Sequence, residues 1–152
     1  MEAEVTEVAR ICRKEADIDT LCSIHNYMIA HTEPLKRNSD SLGSTAYGVT
    51  VNGSADDIGF AKAYCYYVQK AGFPCYVVEG EYMGEPRAWC RFTLNDGLWY
   101  NADVYGDVFA GSLVTKLEVM QDGNYFQTFF LTNDEHIKKQ GYVLAPEYEY
   151  LL

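Results

Sequence analysis

Basic residues are scarce in this chain. Twelve Lys and Arg stand against 22 Asp and Glu, a formal charge of −10 over 152 residues. Phosphate contacts need clustered Lys and Arg, so this balance argues against a nucleic-acid role. Long apolar runs are missing too. No stretch reaches the roughly 18 apolar residues of a membrane-spanning helix. The start, Met1-Glu2-Ala3-Glu4-Val5, has neither the basic flank nor the apolar stretch of a secretion signal. The compartment stays open: cytoplasmic by default, cell-surface or secreted if the chain is an excised domain. Histidine occurs three times, at His25, His31 and His136, with no ligand spacing to the cysteines, so no metal or other cofactor is expected. The cysteines (Cys12, Cys22, Cys65, Cys75 and Cys90) are odd in number, and no two form a Cys-x-x-Cys. That excludes a complete disulfide framework within one chain and favours reduced core thiols. No internal repeat, linker or low-complexity block appears.

What is present suits a single domain over 1–152 with one core. Hydrophobic residues make up 48% of the chain, and 13 are tyrosines. Residues 4–16 read as a helix with Val5, Val8 and Cys12 on one stripe. Asp17-Ile18-Asp19 interrupts the pattern and can cap a second helix, whose apolar set is Leu21, Ile24, His25 and Met28; Pro34 stops it. Residues 35–54 read as a long polar loop, with an extended segment over 47–51. A third helix runs from about Ala55 to Ala71, with Ile58, Ala61, Cys65 and Val68 buried and Gly72 and Pro74 beyond its end. The period then changes to 2. Strands are predicted at 75–81, 87–94 and 98–105, with a turn at Asn95-Asp96-Gly97. Residues 113–120 fit helix or strand equally well. Another strand is predicted at 125–131, and Thr132-Asn133-Asp134 caps a short helix ended by Gly141. Helices first and antiparallel strands later make an α+β fold, with N-terminal helices packed on the sheet.

Several phrases, in order, resemble one family. They are Ile24-His25-Asn26-Tyr27, Ala46-Tyr47-Gly48, Val51-Asn52-Gly53, Gly59-Phe60-Ala61-Lys62-Ala63-Tyr64, Ala71 to Gly80, Ala88-Trp89, and Trp99-Tyr100 with Asp103-Val104. Over residues 20–135 the chain is similar to the transglutaminase-like, papain-type cysteine fold, in phrasing closest to bacterial members. That resemblance implies a Cys-His-Asp triad acting on amides. The thiol would lie at a helix N-terminus, the histidine would exchange its proton, and the aspartate would orient the ring.

The resemblance places Asp57 where the cysteine belongs and Arg87 where the histidine belongs, and it keeps Asp103 as the aspartate. A carboxylate is a poor nucleophile toward an amide, and a guanidinium keeps its proton near neutral pH. The triad is therefore degenerate, no catalytic residue is expected, and the domain is read as a pseudoenzyme. Asp57 and Arg87 preserve the signs of a thiolate–imidazolium pair, so an Asp57–Arg87–Asp103 salt-bridge network is expected in place of the active site. The alternative is that both residues drifted to face solvent. Tyr47, Asp56, Trp89 and Tyr100 are candidate groove residues, although Trp89 also reads as core. A protein or peptide is the expected partner, and the oligomeric state is not legible. The rival reading is an active hydrolase or transferase with a displaced nucleophile, Asp57 or Cys90. His25, on an apolar helix face, reads as structural.

Overall fold

Apolar residues three and four apart build the helical half of the molecule. A computed structural model describes residues 2–14, 17–35, 45–94, 97–110 and 132–151. Helix α1, Glu2–Cys12, buries Val5, Val8, Ala9 and Cys12. Helix α2, Asp17–His31, takes in Asp17-Ile18-Asp19 as its first turn. The link between the two is tied by Thr20, whose Oγ1 accepts from Lys14 N–H at 2.9 Å. Leu21, Ile24, His25 and Met28 of α2 are all fully buried, as their spacing requires.

The predicted extended segment at 47–51 is instead helical. Gly48–Asn52 form a π-type turn that ends at Gly53, whose φ is 72°. Val49, Thr50 and Val51 favour strands in isolation. Here the Thr50 hydroxyl donates to Ala46 O at 3.0 Å and Val49 is buried, so tertiary packing overrides propensity. After this turn, β2 (Ser54–Ala55) pairs in parallel with β1 (Glu33–Pro34), fixing where the next helix begins.

That helix, α3 (Asp57–Lys70), is the axis of the fold. Asp56 caps it, accepting from Gly59 N–H at 3.0 Å. Phe60, Ala61, Ala63, Tyr64, Cys65, Tyr67 and Val68 are all buried, so more than one stripe is covered, while Ile58 is only half-buried. Helices α1 and α2 pack on one side of α3 and the sheet on the other.

The sheet has five strands among the described residues, in the order β6-β5-β4-β3-β7, all antiparallel. Strands β3 (Cys75–Tyr82) and β4 (Glu85–Thr93) form a hairpin closed by Met83 and Gly84, both at positive φ (53° and 85°), the conformation of a tight type I′ turn. Strand β5 is Trp99–Ala102, shorter than predicted, because Asp103 ends it and caps helix α4, Val104–Ala110. Thr132–Asn133 form β6, helix α5 is Asp134–Lys139, and β7 is Tyr142–Leu144. A 3-10 turn, Pro146–Leu151, follows. The readings of 113–120 and 125–131 lie outside the described residues.

The sheet has two covered faces. Ala88, Cys90, Phe92 and Tyr100 pack with the helices in the main core. Val78, Trp89, Ile137 and Tyr142 form a second cluster against α5. A polar network ties α5 to this second face. Arg91 donates to both oxygens of Asp134 at 3.1 and 2.7 Å and to Tyr76 Oη at 2.6 Å, and Asn101 links Asp134 to the Trp89 indole. No helix among the described residues is long and apolar enough to cross a membrane.

Candidate functional site

Asp57 is the first residue of α3, so its carboxylate sits where the backbone N–H groups of the first turn are unpaired and the helix dipole favours negative charge. It is 3% exposed. The β4–β5 ladder ends at Cys90↔Ala102. Ala88 lies two residues past that end, and its N–H donates to Asp57 Oδ2 at 2.6 Å. The tip of α3 is thereby fastened to β4 beside Arg87.

Arg87 Nη1 donates to Asp103 Oδ2 at 2.5 Å, a charge-assisted bond between side chains 16% and 1% exposed. The Tyr142 hydroxyl donates to the same Oδ2, and Gly106 N–H donates to Asp103 Oδ1 at 3.2 Å. The guanidinium also lies over two rings, Tyr82 and Tyr105, each centroid 5.0 Å from Cζ. Tyr142 stacks on Tyr82 at 4.4 Å and meets Trp89 edge-on at 5.0 Å.

Burial works against the charge on Arg87. Attraction from Asp103, with smaller contributions from Tyr142 and Asp57, holds it above its ordinary pKa. Burial likewise pushes the Asp103 carboxyl above its ordinary 3.8, and Arg87, Tyr142 and Gly106 oppose that rise. Both pKa values rise, and a rise favours the charged form of Arg87 while it disfavours that of Asp103. Two donors on one oxygen and a third on the other argue for the ionised carboxylate.

Positions 57, 87 and 103 are therefore neighbours, and neither Asp57 nor Arg87 points freely into solvent. Of the expected Asp57–Arg87–Asp103 salt bridges, the ion pair described is that of Arg87 with Asp103. Arg87 bonds Asp103 directly, and Asp57 reaches β4 through the Ala88 amide while adding its field to Arg87. The groove expectation needs correction. Asp56, Trp89 and Tyr100 are 1%, 1% and 3% exposed, because Asp56 is spent on its helix cap, Trp89 on the second core cluster and Tyr100 on the first. Only Tyr47, at 43%, is open. Arg87 itself lines a different cleft of about 530 Å³, with Glu79, Glu81, Pro86, Val143 and Leu144 among its walls.

Cys90 is fully buried, with its Sγ 2.8 Å from Ala61 O, and burial pushes its thiol pKa up. His25 is fully buried and pairs through Nε2 with Asp107 Oδ2 at 2.8 Å, joining α2 to α4. His31 stacks on Tyr27 at 4.2 Å. The His136 side chain lies outside the described set. Among the described residues, no three His, Cys, Asp or Glu side chains are grouped to hold a metal ion. Sequence reasoning missed Tyr82, Tyr105 and Tyr142, which enclose Arg87 and Asp103.

The family model of the transglutaminase-like superfamily matches residues 6–104, which contain Asp57, Arg87 and Asp103. The chain belongs to the transglutaminase-like superfamily. No curated protein matches its sequence. Among solved structures, the chain is similar to a TGase, with a TM-score of 0.61 at 17% identity over 91% of this chain and 44% of that one. It is also similar to a proposed cysteine protease from Cytophaga hutchinsonii, with a TM-score of 0.56 at 12% identity over 66% of this chain and 37% of that one. The chain thus spans less than half the length of either structure, and identities this low establish the fold alone. Within this transglutaminase-like domain, the matched stretch supplies the two carboxylates and the guanidinium, and Tyr142 comes from beyond it.

Proposed function

We propose that this chain is a catalytically inactive transglutaminase-like domain that binds a protein or peptide partner, with the surface around Arg87 as its binding site. One observation carries the reading. The residue at the histidine position is an arginine whose guanidinium is bonded to Asp103 and enclosed by Tyr82 and Tyr105. A group so held cannot take a proton from a nucleophile near neutral pH. At the cysteine position, Asp57 would form an anhydride if it attacked an amide, and its Oδ2 already accepts from Ala88. The burial of Cys90 and its raised thiol pKa weigh against a displaced nucleophile there. The cleft beside Arg87 supplies apolar walls from Pro86, Val143 and Leu144 and negative charge from Glu79 and Glu81. An extended peptide that is neutral or basic fits that combination.

The test is an assay of amine incorporation into a glutamine substrate, run alongside a thiol-directed activity probe. No turnover is expected. Rapid labelling of Cys90, with turnover lost in Cys90→Ala, would overturn the reading. Restoration tests the geometry separately. Asp57→Cys with Arg87→His is expected to yield a thiol more acidic than Asp57→Cys alone, read from the pH dependence of alkylation. Equal thiol pKa values in the two variants would mean that positions 57 and 87 are not coupled.

A further inference from the structure

A cavity of about 470 Å³ lies where α1, α2 and the turn at Gly48–Asn52 meet α3, within the size range of small-molecule sites. Its walls are apolar: Val8 and Ile11 from α1, Met28 from α2, and Val49 and Val51 from the turn. Ile11 and Val51 line it and remain exposed, so apolar surface reaches out to its mouth. The cavity is separate from the surface around Arg87. Its described lining includes no residue of β3, β4 or β7, and Tyr67, which lines it, stands about 15 Å along α3 from Asp57.

Tyr67 points to a ligand. Its side chain is 2% exposed, and its hydroxyl has no hydrogen-bond partner among the described residues. Among those residues, the unpartnered side-chain atom sealed from solvent is Gln140 Oε1, so the Tyr67 oxygen is not sealed. It opens onto the cavity that its side chain lines. A phenol both donates and accepts. Left unpaired inside the fold it is costly, and a bound hydroxyl that pairs with it recovers that cost.

Charge selects the other end of the ligand. The described lining holds two carboxylates, Glu4 and Glu7, and no Lys or Arg. Glu7 also pairs with Arg10 at 2.6 Å on the exposed side of α1. The field at the mouth therefore disfavours anions and attracts a cation. Tyr27 and His31 both line the cavity with their rings stacked, and His31 Nδ1 donates to Tyr27 O at 2.8 Å, which fixes the ring. A tyrosine ring held in this way adds a favourable face for an ammonium group.

We propose that this cavity binds a small organic amine, with an aryl or alkyl body, an ammonium group at one end and a hydroxyl at the other. The hydroxyl pairs with Tyr67. The body lies against Val8, Met28 and Val49. The ammonium stays at the mouth beside Glu4, Glu7 and the Tyr27 ring.

The experiment titrates the isotope-labelled full chain with tyramine, which carries all three parts, and follows backbone amides by two-dimensional NMR. Saturable shifts are expected at Glu4, Glu7, Met28, His31 and Val49. Phenethylamine, which lacks the hydroxyl, is expected to bind about tenfold more weakly, the worth of one net hydrogen bond. Para-hydroxyphenylpropionate, with a carboxylate in place of the ammonium, is expected not to bind. Tyr67→Phe is expected to weaken tyramine about tenfold without lowering Tm, since it removes an oxygen that bonds to nothing in the fold. A lower Tm in Tyr67→Phe would give that hydroxyl a structural partner and overturn the assignment. Absence of saturable shifts, shifts confined to β3 and β7, or equal affinity for tyramine and either analogue would each overturn the proposal as well.

Discussion

Removing Arg87 would leave Asp103 buried without its cation. Breaking one side of a buried pair costs more than the pair contributes, because the remaining charge stays desolvated. Arg87→Met is therefore expected to destabilise the fold by about 3 kcal/mol. Arg87→Met combined with Asp103→Asn is expected to recover most of that loss, since no charge remains. Urea unfolding of both single variants and the double measures the coupling. A double variant as unstable as the sum of the singles would mean that the two side chains act independently. At this scale the sequence was informative in a specific way. The phrases around Asp57, Arg87 and Asp103 are local and place each residue at its element. Tyr82, Tyr105 and Tyr142 carry no such phrase, and they meet the Arg87–Asp103 pair only because β3, α4 and β7 converge there. Trp89 and Tyr100 point the other way, since an aromatic on a strand carries no local sign of whether it lines a groove or a core.

Strand β7 depends on a residue with no side chain. A Cβ at Gly80 would lie 2.0 Å from Val143 O, so any larger residue forces β3 and β7 apart. Gly80→Ala is expected to cost roughly 1–3 kcal/mol, in the range of overpacked sites. The loss should be local, with faster hydrogen exchange in Tyr142–Leu144 and little change in α3. Unchanged exchange in β7 would refute this account of the edge. Element order was legible because helical spacing persists through α1, α2 and α3 and alternation takes over at Cys75. Boundaries were less legible. The predicted strand over 98–105 ran past Asp103, although Asp103 followed by Gly106 is itself a helix-cap signal. The segment over 47–51 was misread because three residues of strand propensity are held in a turn by Gly53, by Thr50 and by the burial of Val49.

Across the whole molecule, tyrosines set a limit at high pH. Burial raises Tyr64, Tyr67 and Tyr142 above their ordinary value of 10.0, and Asp103 adds to the rise at Tyr142. The folded pKa of each group lies above the unfolded one. Their contribution to stability is therefore complete below pH 10 and is lost as pH climbs above it. In a base titration, exposed tyrosines should ionise first, and these three only as circular dichroism reports unfolding. Their ionisation with the fold intact would contradict the packing described. Their number could be read from composition, but which of them are buried depends on three elements closing on one another. The α+β order, by contrast, followed from the change of period alone.

The Tyr142 hydroxyl has a practical bearing on how the domain should be handled. The superfamily match stops at residue 104, yet the oxygen that covers Asp103 arrives on a strand 39 positions beyond that aspartate. A recombinant piece trimmed to the recognised stretch would uncover the aspartate to water, remove one wall of the cleft, and leave the β3 edge open to pair with other chains. Expression boundaries drawn from family resemblance alone would thus strip away the short edge strand that shields part of the longer β3.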